Sequence, residues 1–152
     1  MNETATTPSD VIDTMNNLIE VNRDAQRGFQ EASEKLNALD LKDFFREQSR
    51  ARVHFVGELQ PEVRLLGSEP EDTGSVAAVL HRGWINLKSA LGGGDHAILA
   101  ATESGEDHAV GVYERALKET LPAHLRVMIE RQYHSIKQAH NKVKVLRDQL
   151  AE

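Results

Sequence analysis

Apolar residues recur along this chain every three or four positions, the spacing of one face of an α-helix. Val11, Met15, Leu18, Ala25, Phe29 and Leu36 form a first stripe and predict a helix over 8–38. It opens at TTPSD, where Thr7 is placed to cap, Pro8 suits the first helical position and Asp10 falls in the acidic first turn. Leu41, Phe44, Phe55, Leu59, Val63 and Leu66 predict a second helix over 41–66. Asp40 is its expected cap, Leu39 and Phe44 are spaced as a hydrophobic staple, and Pro61 is expected to kink the helix or end it early. A polar loop, GSEPEDTG, fills 67–74. Val76, Leu80, Trp84, Leu87 and Leu91 then predict a helix over 75–91, broken by Gly92–Gly94. Asp95 is the expected cap of a helix over 95–118. Pro122 opens the last helix, over 121–151, with Leu125, Met128, Gln132, Ile136, Ala139, Val143, Leu146 and Leu150 on one side. No segment alternates as a strand does, and no repeat is present.

Four helices of roughly 25–30 residues would each span about 35–45 Å. The first and second are joined by a short link, as are the last two, so each pair is expected to form an antiparallel hairpin. The connection between the hairpins is long and carries its own helix. This pattern predicts an all-α single domain over 1–152, a four-helix bundle with one long crossover. At 152 residues the chain can bury a sizeable core. With 39% hydrophobic but only 5% aromatic residues, that core should be aliphatic. A net charge of −6 without a basic stripe argues against nucleic acid as a partner. The absence of cysteine removes disulfides, thiolate ligands and a thiol nucleophile. MNETATTPSD has neither a basic region nor an apolar run, and no stretch is long enough to span a membrane. The expectation is a cytoplasmic protein with no membrane partner.

Placing residues at 100° intervals turns one polar residue of each long helix toward the seam. The stripe of the first centres on Asn22, with Gln26 beside it, and that of the second on Gln48. In the next long helix Thr102, Ala109, Tyr113 and Ala116 define the face, and Glu106 falls within about 60° of its centre. The last stripe centres on Gln132. Asn22, Gln48, Glu106 and Gln132 are therefore expected to form one polar layer in an apolar core.

NNLIEVNRDAQRGF, LHRGWINLKSAL and SGEDHAVGVYERAL give the chain a specific likeness over nearly its whole length. It resembles the ferritin-like superfamily. Within it, the chain is most similar to an uncharacterised proteobacterial four-helix-bundle family of unknown function, distantly similar to bacterioferritin and rubrerythrin. The AATESGED stretch resembles the corresponding rubrerythrin helix. Di-iron members draw one Glu from each of two helices and Glu-x-x-His from each of the other two. Carried over by position, the first Glu falls on Asn22, the first pair on Gln48 and Ala51, the second Glu on Glu106, and the second pair on Gln132 and Ser135. Only Glu106 keeps the ligand type. Neutral amides are poor iron ligands but can satisfy one another and a carboxyl group. The resemblance thus implies a ferritin-like bundle with a degenerate di-iron site, no metal and no cofactor, acting as a non-enzymatic structural or interaction module. A lone ionised carboxylate in an apolar seam is costly. Glu106 is therefore expected to be buried and uncharged, or to share its charge with the amides and accept a hydrogen bond from at least one of Asn22, Gln48 and Gln132.

The alternative is a metal-binding or oxidoreductase ferritin-like protein with a rearranged site around Glu106, where Glu103, Asp107 and His108 offer further ligands. Glu47-x-x-Arg50 and Glu130-x-x-Tyr133 mimic the ligand spacing, but their angles place them toward solvent. His54, His134 and His140 are scattered. HRGW at 81–84 is expected to anchor the crossover through Trp84; its sharper reading is a pocket where His81, Arg82 and Trp84 meet an anionic or flat ligand of unknown identity. Gly92–Gly94 is not a phosphate loop, because no Lys-Ser/Thr follows and no strand precedes it. The long helices and the family likeness lead to a homodimer as the expected state.

Overall fold

The computed structural model describes residues 7–70 and 83–150. These form α1 (Pro8–Lys35), α2 (Leu39–Leu65), a short α3 (Leu87–Ala90), α4 (Asp95–Leu117) and α5 (Ala123–Gln149), with no strand among the described residues. Thr7 caps α1: its hydroxyl accepts from the Asp10 amide, and the Asp10 carboxylate accepts from the Thr7 amide, a reciprocal box that satisfies two otherwise orphaned donors.

The start of α2 departs from expectation. Its N-cap is Ala38, Asp40 lies in its first turn, and Leu39 is exposed rather than stapled to Phe44. The carboxylate that serves this turn comes from across the bundle. Asp95 accepts from the backbone amides of Asn37 (2.7 Å) and Ala38 (3.0 Å). Asp95 is accordingly the first residue of α4 and not its cap, which is Gly94. Pro61 does not end α2, which continues to Leu65. The carbonyl a helical proline leaves without a partner lies four residues back; here that is Gly57, on the exposed side, open to solvent.

The crossover is also corrected. Residues 71–82, with His81 and Arg82 among them, lie outside the described residues. Of the helix expected over 75–91, the described part is helical only at Leu87–Ala90. Gly83 has a φ of 91°, in the left-handed region that only glycine enters freely, and 84–86 are not helical. This turn drives the Trp84 side chain into the bundle, where it is 1% exposed. The slot that receives it is lined by two glycines, Gly28 on α1 and Gly105 on α4, and a Cβ added at either would overlap the indole. Phe29 meets Trp84 edge-on at 5.6 Å and Phe45 at 5.1 Å, both in the favoured edge-to-face arrangement.

Cross-helix contacts give the topology. Thr14 meets Glu119 and Asn22 meets Tyr113, so α1 and α4 run in opposite directions. Glu58 meets Gln132 and Glu62 meets His124, so α2 and α5 do the same. With the antiparallel hairpins α1–α2 and α4–α5, the order is up, down, down, up. That order requires the chain between the hairpins to travel the length of the bundle. Arg126 on α5 closes the second hairpin by donating to the carbonyls of Leu117 (3.0 Å) and Glu119 (2.7 Å), acceptors that a helix C-terminus otherwise leaves unpaired. The core divides into two apolar clusters, one around Met15, Leu18, Leu59 and Ile129, the other around Phe29, Phe45, Trp84 and Ile98. Asn22, Arg52, Glu106 and Gln132 are fully buried polar residues of this core, and Thr14 and Ser33 are buried nearer the two ends of α1.

Candidate functional site

Asn22, Glu106 and Gln132 are fully buried. Gln48 is only half-buried. The buried face of α2 keeps the expected Leu41, Phe55, Leu59 and Val63 and adds Phe45, Ser49, Arg52 and Val56, so that Phe45 and Arg52 turn inward in place of Phe44 and Gln48. The decisive member is Arg52. Its guanidinium donates Nη1 to Glu106 Oε1 at 2.8 Å and Nη2 to Oε2 at 2.6 Å, with the two side chains 1% and 0% exposed. It also lies 5.2 Å from the centre of the Phe29 ring, a cation–π distance. The expected amide donors to Glu106 are thus replaced by one bidentate guanidinium, the strongest pairing available to a carboxylate. The expected uncharged carboxyl gives way to an ion pair, because the counter-charge offsets part of the penalty that argued for neutrality.

The amides belong to a second arrangement, and the single expected layer is in fact two. Tyr113, not Glu106, is the α4 residue level with Asn22 and Gln132. It lies seven residues further on, two turns or about 10 Å along the axis. Asn22 Nδ2 donates to the Leu18 carbonyl at 2.8 Å and to the Tyr113 hydroxyl at 2.7 Å. Tyr113 donates to Gln132 Oε1 at 2.6 Å, and Gln132 Nε2 donates to Glu58 Oε1 at 2.9 Å. Arg131 completes the run at Glu58 Oε2, 2.7 Å away. Burial pushes the Tyr113 hydroxyl well above the ordinary tyrosine range, only partly offset by the Asn22 hydrogen bond. Burial raises the Glu58 carboxyl too, but hydrogen bonds from Arg131 and Gln132, with the charges of Arg131 and His54, hold it below the ordinary value.

The donor chemistry tests the di-iron set that the fold family implies. Such a site needs several free carboxylates and neutral imidazoles. Of the carboxylates in or beside the core, Glu106 is held by a permanent cation, Glu58 by Arg131 and Gln132, and Asp24, buried on α1, has an interaction of its own. None of the described histidines is buried. The buried side-chain atoms left without hydrogen-bond partners among the described residues, Asn22 Oδ1, Gln48 Oε1, Arg23 Nε and Arg52 Nε, are two neutral amide oxygens and two cationic donors. The residues present do not fit a pair of iron ions.

Trp84 anchors the crossover rather than lining a pocket. A cavity of about 320 Å³ lies between α1 and α4, lined by Thr14, Glu20, His108, Arg115 and Glu119 among others, without Trp84. Outside the core, Glu103 and Asp107 of α4 come together with His140 of α5, rather than with the sequence-adjacent His108. Sequence reasoning missed Arg52, although a signal was present: a lone inward Glu106 calls for a cation, and Arg52 follows Phe45 and Ser49 at helical spacing.

The comparisons with known proteins agree with this architecture. The chain belongs to the family described as a domain of unknown function (DUF2383), whose model matches residues 10–119. No curated protein matches it. Among solved structures it is similar to a point mutant of Mycobacterium smegmatis Dps1, with a TM-score of 0.79 and 15% identity over 92% of this chain and 96% of that one. It is similar to a DPS protein from Vibrio cholerae O1, itself described as a member of a broad superfamily of ferritin-like diiron-carboxylate proteins, with a TM-score of 0.69 and 11% identity over 96% and 99% of the two chains. It also matches a two-domain protein from Anabaena variabilis containing DJ-1/ThiJ/PfpI-like and ferritin-like domains, with a TM-score of 0.76 and 12% identity. There it covers 95% of this chain but 38% of the other. These likenesses establish a ferritin-like fold.

Proposed function

We propose that this is a non-enzymatic ferritin-like protein whose di-iron site is degenerate, and that the bundle serves as a structural or interaction module. The observation that carries the reading is the Arg52–Glu106 pair. A guanidinium neutralises the one carboxylate at a di-iron ligand position, and it does so with both of that carboxylate's oxygens. Of the other ligand positions, the acids are replaced by Asn22, Gln48 and Gln132 and the imidazoles by Ala51 and Ser135. The pair and the amide run do the work that metal ligation does in di-iron relatives: they tie helices of different hairpins together at fixed heights. Such a polar device specifies register at some cost in stability.

The reading extends to a homodimer in a bacterial cytoplasm. No described helix is long and apolar enough to cross a membrane, and ferritin-like bundles commonly pair along their long helices. A strictly monomeric mass at micromolar concentration would remove the dimer. The competing reading, redox chemistry at a rearranged site around Glu106, requires Arg52 to release both oxygens. The test is to expose purified protein to Fe(II) and air. The expected result is no oxidation above the buffer control and no iron retained in the bundle centre. Iron oxidation that Glu106→Gln abolishes would overturn the proposal.

A further inference from the structure

We propose that Glu103, Asp107 and His140 form a site for a single divalent cation of the late first-row type, Zn²⁺ above all, on the outer side of the α4–α5 hairpin. This goes beyond the reading of the core and does not rest on it. Glu103 and Asp107 are four residues apart and share one face of α4; His140 meets them from α5. A carboxylate oxygen from each acid and a ring nitrogen of the histidine all lie within 4.8 Å of one another. Ligands at about 2.1 Å from a tetrahedral zinc stand about 3.4 Å apart, so the ion can be held by side-chain adjustment alone. Three protein ligands leave the fourth position to water.

The neighbours of the two histidine ring nitrogens are the second observation. His140 Nδ1 lies 3.2 Å from Asn141 Oδ1, while Nε2 lies 2.5 Å from Asp107 Oδ1. In the tautomer that carries its proton on Nδ1, His140 donates to Asn141 and leaves the Nε2 lone pair facing Asp107. A contact that close is bridged by a proton on Nε2 or, in this tautomer, by a metal ion that takes the proton's place. A ligating histidine whose other ring nitrogen donates to a side-chain oxygen has the arrangement by which proteins fix the tautomer for a metal. The nitrogen in the set selects zinc and its neighbours over Mg²⁺ or Ca²⁺, which prefer oxygen alone. Arg147 is the built-in competitor. It pairs with Glu103 but also with Asp148 at 2.7 Å, so it has a second carboxylate to hold when Glu103 turns to the ion.

Untagged protein, stripped with a chelator, is titrated with Zn²⁺ alone by calorimetry at neutral pH. The expected result is about one equivalent bound, unaffected by an excess of Mg²⁺. His140→Ala and Asp107→Asn each weaken binding by about tenfold or more, His54→Ala leaves it unchanged, and Arg147→Ala tightens it by freeing Glu103. Asp107 is exposed and His140 half-buried, so these variants keep the fold, which circular dichroism verifies. Absence of stoichiometric binding, or binding indifferent to His140→Ala and Asp107→Asn, overturns the proposal. An ion that survives His140→Ala but is lost in Glu106→Gln overturns it too and places the metal in the bundle centre, against the reading of the core.

Discussion

The two polar arrangements inside the bundle solve the same problem in opposite ways. Arg52 and Glu106 are charged, sealed from water and complete in each other, apart from one guanidinium nitrogen. Asn22, Tyr113 and Gln132 are neutral and pass their hydrogen bonds outward, link by link, to Glu58 and Arg131 at the surface. A sealed charge depends wholly on one partner, so its loss has no remedy. A run that ends at solvent shares its loss among several groups, and water can repair the outer end. The cost of removing a group should therefore fall steadily from the sealed pair to the rim.

The largest effect is expected at the sealed pair. Glu106→Leu strands a buried guanidinium and should cost about 3–5 kcal/mol in urea denaturation, while the double variant Arg52→Met, Glu106→Leu should recover most of that or exceed the parent by about 1–4 kcal/mol. Glu106→Gln, harmless if amides alone surrounded it, should also destabilise, because it removes the counter-charge. A single-variant cost under about 1 kcal/mol would place the pair with ordinary surface bridges and erase the contrast. Next comes Tyr113→Phe, which unlinks Asn22 from Gln132 and should cost about 1–3 kcal/mol.

The same residue gives a pH test. Its folded-state pKa is raised, so above the ordinary tyrosine value of 10.0 the folded protein holds a proton that the unfolded chain releases. Stability should fall as pH rises through that range, and Tyr113→Phe should flatten the fall. The smallest effects belong to the rim: Arg131→Ala should cost about 0.2–1 kcal/mol. Glu58, with a lowered pKa, contributes stability that is present above its ordinary value of 4.5 and lost as pH falls through the folded value. Glu58→Gln should shallow that acid limb of the stability profile.

Helical periodicity made the long helices and the crossover topology legible, and it places Asn22, Glu106 and Gln132 inward because each falls on the side of its helix that the apolar and small residues mark. The phase of α2 was harder to read. Phe44 and Phe45 are adjacent, so either could mark the buried side; Phe45 is the buried one, and with it Arg52 replaces Gln48. Residue type also misled, since arginine ordinarily belongs to the surface and is buried only when paired. That pairing depends on Glu106, 54 positions away. Asp95 follows the same logic: a local cap by its position in sequence, it serves instead a turn 57 positions earlier. The gathering of Glu103, Asp107 and His140 required knowing which turns of α4 and α5 face each other, which periodicity within one helix does not supply.

The glycine-lined slot around Trp84 also bears on the order of events in folding. Its two walls come from different hairpins, Gly28 from the first and Gly105 from the second. Each hairpin can close on its own through contacts near in sequence, which form fast, but the slot does not exist until the hairpins have met. Trp84 is the chain's only tryptophan, so its emission dates that meeting. In refolding experiments the helical signal should rise first and the blue shift of the indole should follow it. Gly105→Ala should leave the early signal in place and suppress the late one. Simultaneous signals in the parent chain, or a full blue shift of the indole in the variant, would mean that the crossover is seated before the hairpins join.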